Sequence, residues 1–267
     1  MKILVLVKEV PDTYGDRKLN LETGLADRGA SDPVLDEIGE RAVEVALAHA
    51  DAHEGTEVVA VGMAPEGAAT TIRKALAMGA GSAVHIVDEA LLGADLGLTA
   101  RTLAAAISRT GFDLVIAGNA STDGSGGAIP AMVAELLAVP HLTGLSVVEI
   151  GDGSVAGQRP VDGGVQRVSS PLPAVVSITE ALPDGRFPNF KGIMAAKKKP
   201  VEVLSLSDLQ VDSEDWSSGL SIMLSVAERP PRAAGVKIVD DGDAGEQITG
   251  FLAENRLVRS DDERLPE

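Results

Sequence analysis

Short, continuous apolar runs that alternate with helical patterns constrain the fold of this chain more than any other feature of its sequence. Four such runs lie at 3–7, 57–61, 83–87 and 113–117. Runs of this kind are typical of strands that are buried on both faces, as they are in a parallel sheet. The alternation over residues 1–140 therefore predicts an α/β fold, in which an open, mostly parallel sheet carries helices on both faces.

Four helical patterns occupy the stretches between and after these runs. Asp32-Pro33 supplies a start signal for the first helix. The apolar face of that helix consists of Leu35, Ile38, Ala42, Val45 and Ala46. Pro65 is predicted to open the second helix and Gly79 to close it. The third and fourth helices are predicted at 99–109 and 130–137.

Beyond residue 140 the pattern changes to shorter segments separated by glycine-containing turns. Strands are predicted at 146–150, 154–160, 165–169 and 174–178. The turns Gly-Asp-Gly at 151–153 and Asp-Gly-Gly at 162–164 have hairpin composition, so antiparallel strands are expected to extend the edge of the sheet. After Thr179, proline, glycine and asparagine predict an irregular segment without regular elements.

Composition and charge exclude several classes of function. The formal net charge of −17 makes nucleic acid an unsuitable partner, because the phosphate backbone would repel the chain. The absence of cysteine excludes disulfides, thiolate catalysis and thiolate metal sites. No apolar run reaches about 18 residues, and no signal-peptide cleavage site follows the first strand. We therefore expect a cytoplasmic protein that does not insert into a membrane.

The first candidate binding site is the glycine loop, which we define as residues 118–129 with the sequence GNASTDGSGGAI. It follows a predicted strand and precedes a helix, and ligands of open α/β sheets bind beyond the carboxyl ends of strands. Glycines let backbone amides approach phosphate oxygens, and the helix N-terminus adds partial positive charge. The loop lacks the Walker lysine and the third glycine of the dinucleotide fingerprint. Nucleotide binding without phosphate transfer is one interpretation, and an ordinary glycine-rich turn is the other.

A second candidate is the end of the strand at 57–61, where Gly62 and Met63 precede Pro65. Exposed backbone at this point could receive the edge of an adenine. A plain strand-to-helix turn would account for the same residues.

The third candidate is the docking segment, which we define as residues 181–199. Among its proline, glycine and asparagine residues lie the apolar side chains of Phe187, Phe190, Ile193 and Met194. Apolar anchors on a surface segment usually mark a protein contact. The alternative is a loop that folds back on its own core.

The sequence gives little evidence for a catalytic group of side chains. His49 and His53 have helical spacing, but solvent-facing histidines explain them as well as a metal pair does. The serines form no nucleophile elbow. The sequence therefore favours binding and transfer over catalysis by side chains.

Four stretches resemble the beta subunits of electron-transfer flavoproteins. They are Val7–Asp12, Thr71–Ala80, Arg159–Ser177 and Gly192–Lys199. The most specific is 159–177, in which a basic residue, Asp-Gly-Gly, a glutamine and Leu-Pro-Ala-Val-Val follow each other at the family's spacing. The similarity spans roughly residues 1–240.

This resemblance implies a Rossmann-like α/β domain of the adenine-nucleotide-binding kind, with antiparallel edge strands, over residues 1–228. A C-terminal arm over 229–267 would contact a partner alpha subunit that holds most of the FAD site. The subunit would bind AMP as a structural group. It would accept electrons from donors such as acyl-CoA dehydrogenases, and a membrane quinone oxidoreductase would be the acceptor. One subfamily places a second FAD in the AMP position, and that alternative stays open.

The resemblance also implies roles for particular residues. The implied AMP site consists of Leu6, Val7, Lys8, Asp36, Gly62, Met63, Gly118, Asn119, Asp123, Gly126, Gly127, Ala128 and Ile129. Lys8 would offset phosphate charge, and the backbone amides of 126–129 would hold the phosphate. Tyr14 and Ile38 would be neighbours of the FAD. Phe187, Phe190, Ile193 and Met194 would dock a partner.

Two positions depart from the family pattern. Phe190 stands where a leucine anchor is common, and Asp36 stands where asparagine is common. An ATP-binding stress or regulatory protein of the same fold is a competing hypothesis, although that class does not require the 159–177 pattern. An ATP pyrophosphatase is disfavoured, because Lys8-Glu9-Val10-Pro11 replaces its Ser-Gly-Gly loop.

Overall fold

The structure is a computed structural model that describes residues 1–15, 17–215, 221–235 and 237–258. The chain divides into two units, Met1–Val226 and Ala227–Glu267. The strands of the first unit are β1 Lys2–Val7, β2 Glu9–Pro11, β3 Pro33–Leu35, β4 Glu57–Met63, β5 Ser82–Ile86, β6 Leu114–Gly118, β7 His141–Leu145, β8 Val147–Ile150, β9 Ser154–Val161, β10 Gly164–Pro171, β11 Ala174–Ile178 and β12 Val201–Leu204. Its helices are α1 Glu37–Ala52, α2 Ala69–Met78, α3 Leu96–Thr110, α4 Ile129–Leu136, α5 Phe190–Ala196 and α6 Leu206–Leu209.

Seven strands form one large sheet in the order β12-β5-β4-β1-β6-β11-β7, and every neighbouring pair is parallel. The predicted α/β fold with a mostly parallel, Rossmann-like sheet is confirmed. The first strand lies inside the sheet, with β4 on one side and β6 on the other. The direction of strand succession reverses at this point, which is where open α/β sheets bind ligands.

Two apolar layers cover the faces of the large sheet. Along β1 the side chains alternate, because Ile3 and Val5 join one buried cluster while Leu4 joins the other. The first cluster takes in residues of α1, α2 and α5, and the second takes in residues of α3, α4 and α6. Ile3, Leu4 and Val5 are fully buried. Each contributes about 1.5–3 kcal/mol on burial, so the strand is held from both sides.

The start of α1 differs from the prediction. Pro33–Leu35 is strand β3, which pairs with β2 in a two-stranded antiparallel ladder. The helix begins at Glu37, and its N-cap is Asp36, whose carboxylate accepts from the amides of Ile38 and Gly39. Asp36, and not the predicted Asp32-Pro33, therefore provides the start of the helix.

The predicted antiparallel strands form, but they do not extend the edge of the large sheet. Strands β8, β9 and β10 pair with each other in a separate three-stranded sheet. The fourth segment, β11, is parallel and lies between β6 and β7 inside the large sheet. All five of its residues are buried, as expected for a central strand of the sequence AVVSI.

The segment after Thr179 is more regular than predicted. Helix α5 begins after Asn189, whose side-chain oxygen accepts from the amide of Gly192 at 2.8 Å. Strand β12 then joins the large sheet beside β5. The prediction of an irregular segment is confirmed for residues 180–189 and wrong for Phe190–Ala196, because the asparagine caps a helix instead of breaking one.

The second unit contains helix α7, Ala244–Glu254, none of whose residues is buried. The arm predicted over 229–267 falls in this part of the chain, and its residues 236 and 259–267 lie outside the described residues. Within the described ranges, no helix combines the length and the apolar character that a membrane crossing requires.

Candidate functional site

The carboxyl ends of β1, β4 and β6 lie side by side and bring three predicted parts of the nucleotide site together. Lys8 follows β1, Gly62 and Met63 end β4, and Gly118 ends β6. The glycine loop then leads from β6 into α4. The glycine loop thus lies between a strand and a helix, as the sequence predicted, and the structure adds that this position is beside the strand-order reversal.

Asp36 links the N-terminus of α1 to the glycine loop. Its side chain is 3% exposed. One carboxylate oxygen caps α1, and the other accepts from the Thr122 amide at 2.7 Å and from the Thr122 hydroxyl at 2.9 Å. Four donors therefore satisfy this buried charge. The AMP contact implied for Asp36 would have to compete with these bonds inside the protein.

Lys8 is held by the opposite side of the same loop. Its Nζ lies 2.7 Å from Asp123 Oδ1 and 3.2 Å from Ser121 Oγ. A second cation, Arg28, reaches within 3.8 Å of Asp123 Oδ2 and donates to the Glu9 carbonyl. The sequence placed Lys8 and Asp123 in one site but did not predict that they pair. It missed Ser121 and Arg28.

The end of the glycine loop forms an open helix N-terminus. Gly127 has a φ of +65°, a conformation that glycine adopts without steric cost. Ala128 is the N-cap of α4, and its side chain makes no capping hydrogen bond. The first-turn amides of α4 therefore have no side-chain acceptor at this cap, and such an N-terminus suits an anion.

Apolar residues of the implied site divide into buried and half-buried sets. Leu6, Met63 and Ile129 are partly buried and pack against the second apolar cluster, so they offer a half-open apolar wall. Val7 is buried. Such a wall suits the flat face of a base, whereas the polar loop beside it suits a phosphate.

Two glycines of the implied site are required for close packing within the chain. A Cβ at Gly118 would lie 3.0 Å from Ile38 Cγ2, and a Cβ at Gly62 would lie 3.0 Å from Ile72 Cδ1.

Ile38 is only 9% exposed, whereas Tyr14 is fully exposed. The two residues proposed as neighbours of FAD thus have opposite environments.

A recess of about 520 Å³ beside the glycine loop was not predicted. It lies between the loop and the three-stranded sheet and is lined by Asn119, Ala120, Gly127, Thr143, Gly144, Arg159, Pro160, Val161, Gln166 and Ser177. Arg159 Nε donates to Gln166 Oε1 at 2.9 Å, and the two residues are cross-strand partners on β9 and β10. The spacing of the 159–177 pattern about its hairpin turn was the signal that could have paired them.

The docking segment is fixed to the protein by its polar groups. Arg186 forms a two-pronged ion pair with Glu44 at 2.7 and 2.8 Å and also reaches Asp51. Burial alone would raise the pKa of Glu44, but the hydrogen bonds and charge of Arg186 lower it overall. Lys199 donates to the carbonyls of Leu76, Gly79 and Ala80 at the end of α2. Lys199 is therefore a structural residue and not part of a solvated charge run.

Four apolar side chains of the docking segment point away from the core, whereas Leu182 and Ala196 of the same segment are buried in it. Phe187 is 95% exposed and Phe190 is 79% exposed, while Ile193 and Met194 are about half exposed. The backbone beneath them lies close to α2, since a Cβ at Gly192 would meet the Ala77 carbonyl oxygen at 2.5 Å. The alternative of a loop folded back on its own core is wrong for these four side chains.

The two helical histidines stack on each other. The ring centroids of His49 and His53 are 4.1 Å apart, at the end of α1. Among the described residues, no group of three or more His, Asp or Glu could hold a metal ion.

Comparison with known proteins gives one consistent family. The model of the electron transfer flavoprotein domain matches residues 24–209. Electron transfer flavoprotein subunit beta of Mycobacterium tuberculosis is 46% identical over 264 residues, covering 96% of this chain and 99% of that protein. The subunit of the same name in Bacillus subtilis is 34% identical, with 98% of each chain covered.

A relative with a different name matches as well. The caffeyl-CoA reductase-Etf complex subunit CarD of Acetobacterium woodii is 32% identical, covering 94% of this chain and 92% of that protein. Nearly full-length matches of this kind decide against a stress protein or a pyrophosphatase that shares only the fold. The chain belongs to the beta-subunit family of the electron transfer flavoproteins.

Proposed function

We propose that this chain is the beta subunit of a heterodimeric electron carrier, which shares an FAD held mainly by an alpha subunit. It takes electrons from flavin dehydrogenases such as acyl-CoA dehydrogenases and delivers them to the respiratory chain through a membrane quinone oxidoreductase. The chain binds AMP as a structural group and contributes no catalytic side chain. The proposed location is the cytoplasm.

One observation carries the nucleotide part of this proposal. A lysine, an apolar half-open wall and an uncapped helix N-terminus meet at the strand-order reversal of a parallel sheet. A phosphate fits the amides of the helix N-terminus, and an adenine fits the apolar wall. The names of the relatives support the electron-carrier role and the existence of a partner subunit.

The docking part rests on the exposed apolar side chains of the docking segment. Two phenylalanines that are almost fully exposed have no role in the core of this chain. Their backbone is anchored through Arg186, so a partner would meet a preformed surface. Preformed aromatic anchors are typical of binding hot spots.

Nucleotide identity and stoichiometry test the proposal. The chain would be coexpressed with its alpha subunit, and the nucleotides would be released by denaturation and separated by chromatography. One FAD and one AMP per heterodimer are expected. Two flavins and no AMP would place a second FAD in this site instead, and a homodimer that releases only ATP would overturn the proposal.

A further inference from the structure

The cation that would face the phosphate is already paired with a carboxylate of the glycine loop. Lys8 Nζ lies 2.7 Å from Asp123 Oδ1. The Lys8 side chain is 43% exposed, whereas the Asp123 side chain is 12% exposed. The lysine is therefore open to a ligand on one side, and the carboxylate lies beneath it.

Asp123 is ionised in this position. Burial raises the pKa of its carboxyl group, but hydrogen bonds from Lys8 and Ser121 and the charge of Lys8 lower it overall. The Gly124 amide also donates to the same oxygen at 2.6 Å. The negative charge is thus fixed in orientation next to the cation.

We propose that Asp123 determines which adenine nucleotide the site accepts, by acting as an internal anion that limits the negative charge of the ligand. This inference rests on the proposed nucleotide site. A phosphate that approaches Lys8 shares the ammonium group with the Asp123 carboxylate. Repulsion between the two anions grows with the charge of the ligand. Asp123 therefore shifts the preference of the site from a triphosphate towards a monophosphate.

The arginines near the glycine loop leave the Asp123 charge in place. Arg17 donates to the Thr122 carbonyl and not to the carboxylate of Asp123. Arg28 stays 3.8 Å from Asp123 and donates to the Glu9 carbonyl, so it balances the carboxylate only in part. Asp36 also contacts the loop, but both of its oxygens are occupied by amides and the Thr122 hydroxyl. Among the residues that the structure describes, Asp123 is thus the carboxylate that shares a cation with the ligand.

Competition binding to the heterodimer tests the inference. Wild-type and Asp123→Asn complexes would be loaded with radiolabelled AMP and challenged with unlabelled AMP, ADP or ATP at constant low ionic strength without magnesium. Asparagine keeps the shape and the Oδ1 acceptor but removes the charge. We expect the preference for AMP over ATP to fall by about tenfold or more in the variant, because the charge penalty scales with the ligand.

Matched variants separate charge from structure. Asp113→Asn removes one negative charge at the opposite end of β6, where Asp113 accepts from the Lys2 amide, and should leave the preference unchanged. Asp123→Glu retains the charge and should retain most of the preference. If Asp123→Asn weakens all three nucleotides equally, or changes none, the inference is wrong while the nucleotide site stands. A wild-type complex that binds no adenylate would instead remove the proposed site itself.

Discussion

The glycine loop and the docking segment are both anchored by charged side chains, but they use those charges in opposite ways. At the glycine loop, the carboxylates of Asp36 and Asp123 bond inward, to Thr122 and to Lys8, so that both are nearly buried and the loop forms one wall of a recess. In the docking segment, Arg186 fixes the backbone to α1, and the apolar side chains of Phe187 and Phe190 remain outside.

This difference indicates how substitutions in each region would affect stability and binding. Changes in the glycine loop remove buried hydrogen bonds and are expected to affect stability and nucleotide together. Changes at the exposed tips of the docking segment remove no internal contact, so they are expected to affect only partner binding.

Asp36→Ala should have the largest effect. It removes the cap of α1 and leaves the buried amide and hydroxyl of Thr122 without their acceptor, at a combined cost of about 2–4 kcal/mol. Urea unfolding followed by circular dichroism measures the loss. Asp36→Asn is the matched control, because asparagine caps well but presents an amide where Thr122 needs an acceptor, so it should lose about half as much. An Asp36→Asn variant as stable as the wild type would show that the link to Thr122 contributes nothing, and equal losses in the two variants would show that the cap contributes nothing.

Thr122→Val should lower the unfolding free energy by less, about 1–2 kcal/mol. It removes the hydroxyl but keeps the hydrogen bond from the Thr122 backbone amide to Asp36. Amide hydrogen exchange should rise in residues 119–125 and stay constant in residues 181–199. Increased exchange in both segments would contradict the independence of the two regions.

Arg186→Met should loosen only the docking segment. The ion pair with Glu44 is two-pronged but partly open to water, so its loss should lower the unfolding free energy by about 1 kcal/mol. Limited proteolysis should cut residues 181–196 faster, with unchanged nucleotide content. Lys191→Met, in the same segment but without an ion pair among the described residues, is the control. Cleavage at the wild-type rate would show that Arg186 does not anchor the segment.

Acid should loosen both regions. The carboxyl groups of Glu44 and Asp123 have lowered pKa values, so each ion pair stabilises the fold above the ordinary pKa and is lost as the pH falls through the folded value. The ordinary values are 4.5 for Glu44 and 3.8 for Asp123. Hydrogen exchange measured from pH 5 downwards should therefore rise near Arg186 and in the glycine loop. Exchange in both regions that does not depend on pH would contradict a stabilising role of the two ion pairs.

Phe190→Ala should change the unfolding free energy by less than about 0.5 kcal/mol, because the side chain is exposed. Electron uptake from a dehydrogenase donor should nevertheless fall by about tenfold or more, as for a hot-spot aromatic, with FAD content unchanged. Val203→Ala, on the exposed side of edge strand β12, is the matched control and should leave both the unfolding free energy and electron uptake unchanged. Unchanged donor kinetics in Phe190→Ala would remove the docking role from this segment.

The sequence revealed those parts of the fold that local patterns encode. The buried strands were predictable because parallel strands show as continuous apolar runs. Strand β11 is the same kind of run, but the hairpin turns before it suggested an antiparallel strand. Strand β12 was missed because VEVL is short and its middle residues are exposed.

Only the part of the candidate site that lies within one continuous segment was predictable from the sequence. The glycine loop shows its composition locally, so its position after β6 could be inferred. The bonds from Asp36 to Thr122 and from Lys8 to Asp123 join residues that are 86 and 115 positions apart. No local pattern reports such pairs, and they depend on how the sheet brings strand ends together.

The order in which strands enter the large sheet has a consequence for synthesis on the ribosome. Strand β11 inserts between β6 and β7, the chain then crosses through the docking segment, and β12 completes the far edge beside β5. A nascent chain that has emerged only to residue 178 lacks both α5 and the Lys199 clamp on α2. The bond from Lys199 to Leu76 joins residues 123 positions apart, so it can form only after residue 199 has left the ribosome. The surface proposed for dehydrogenases is therefore fixed to α2 later than the central strands can pair, and chains that end before residue 190 do not present it.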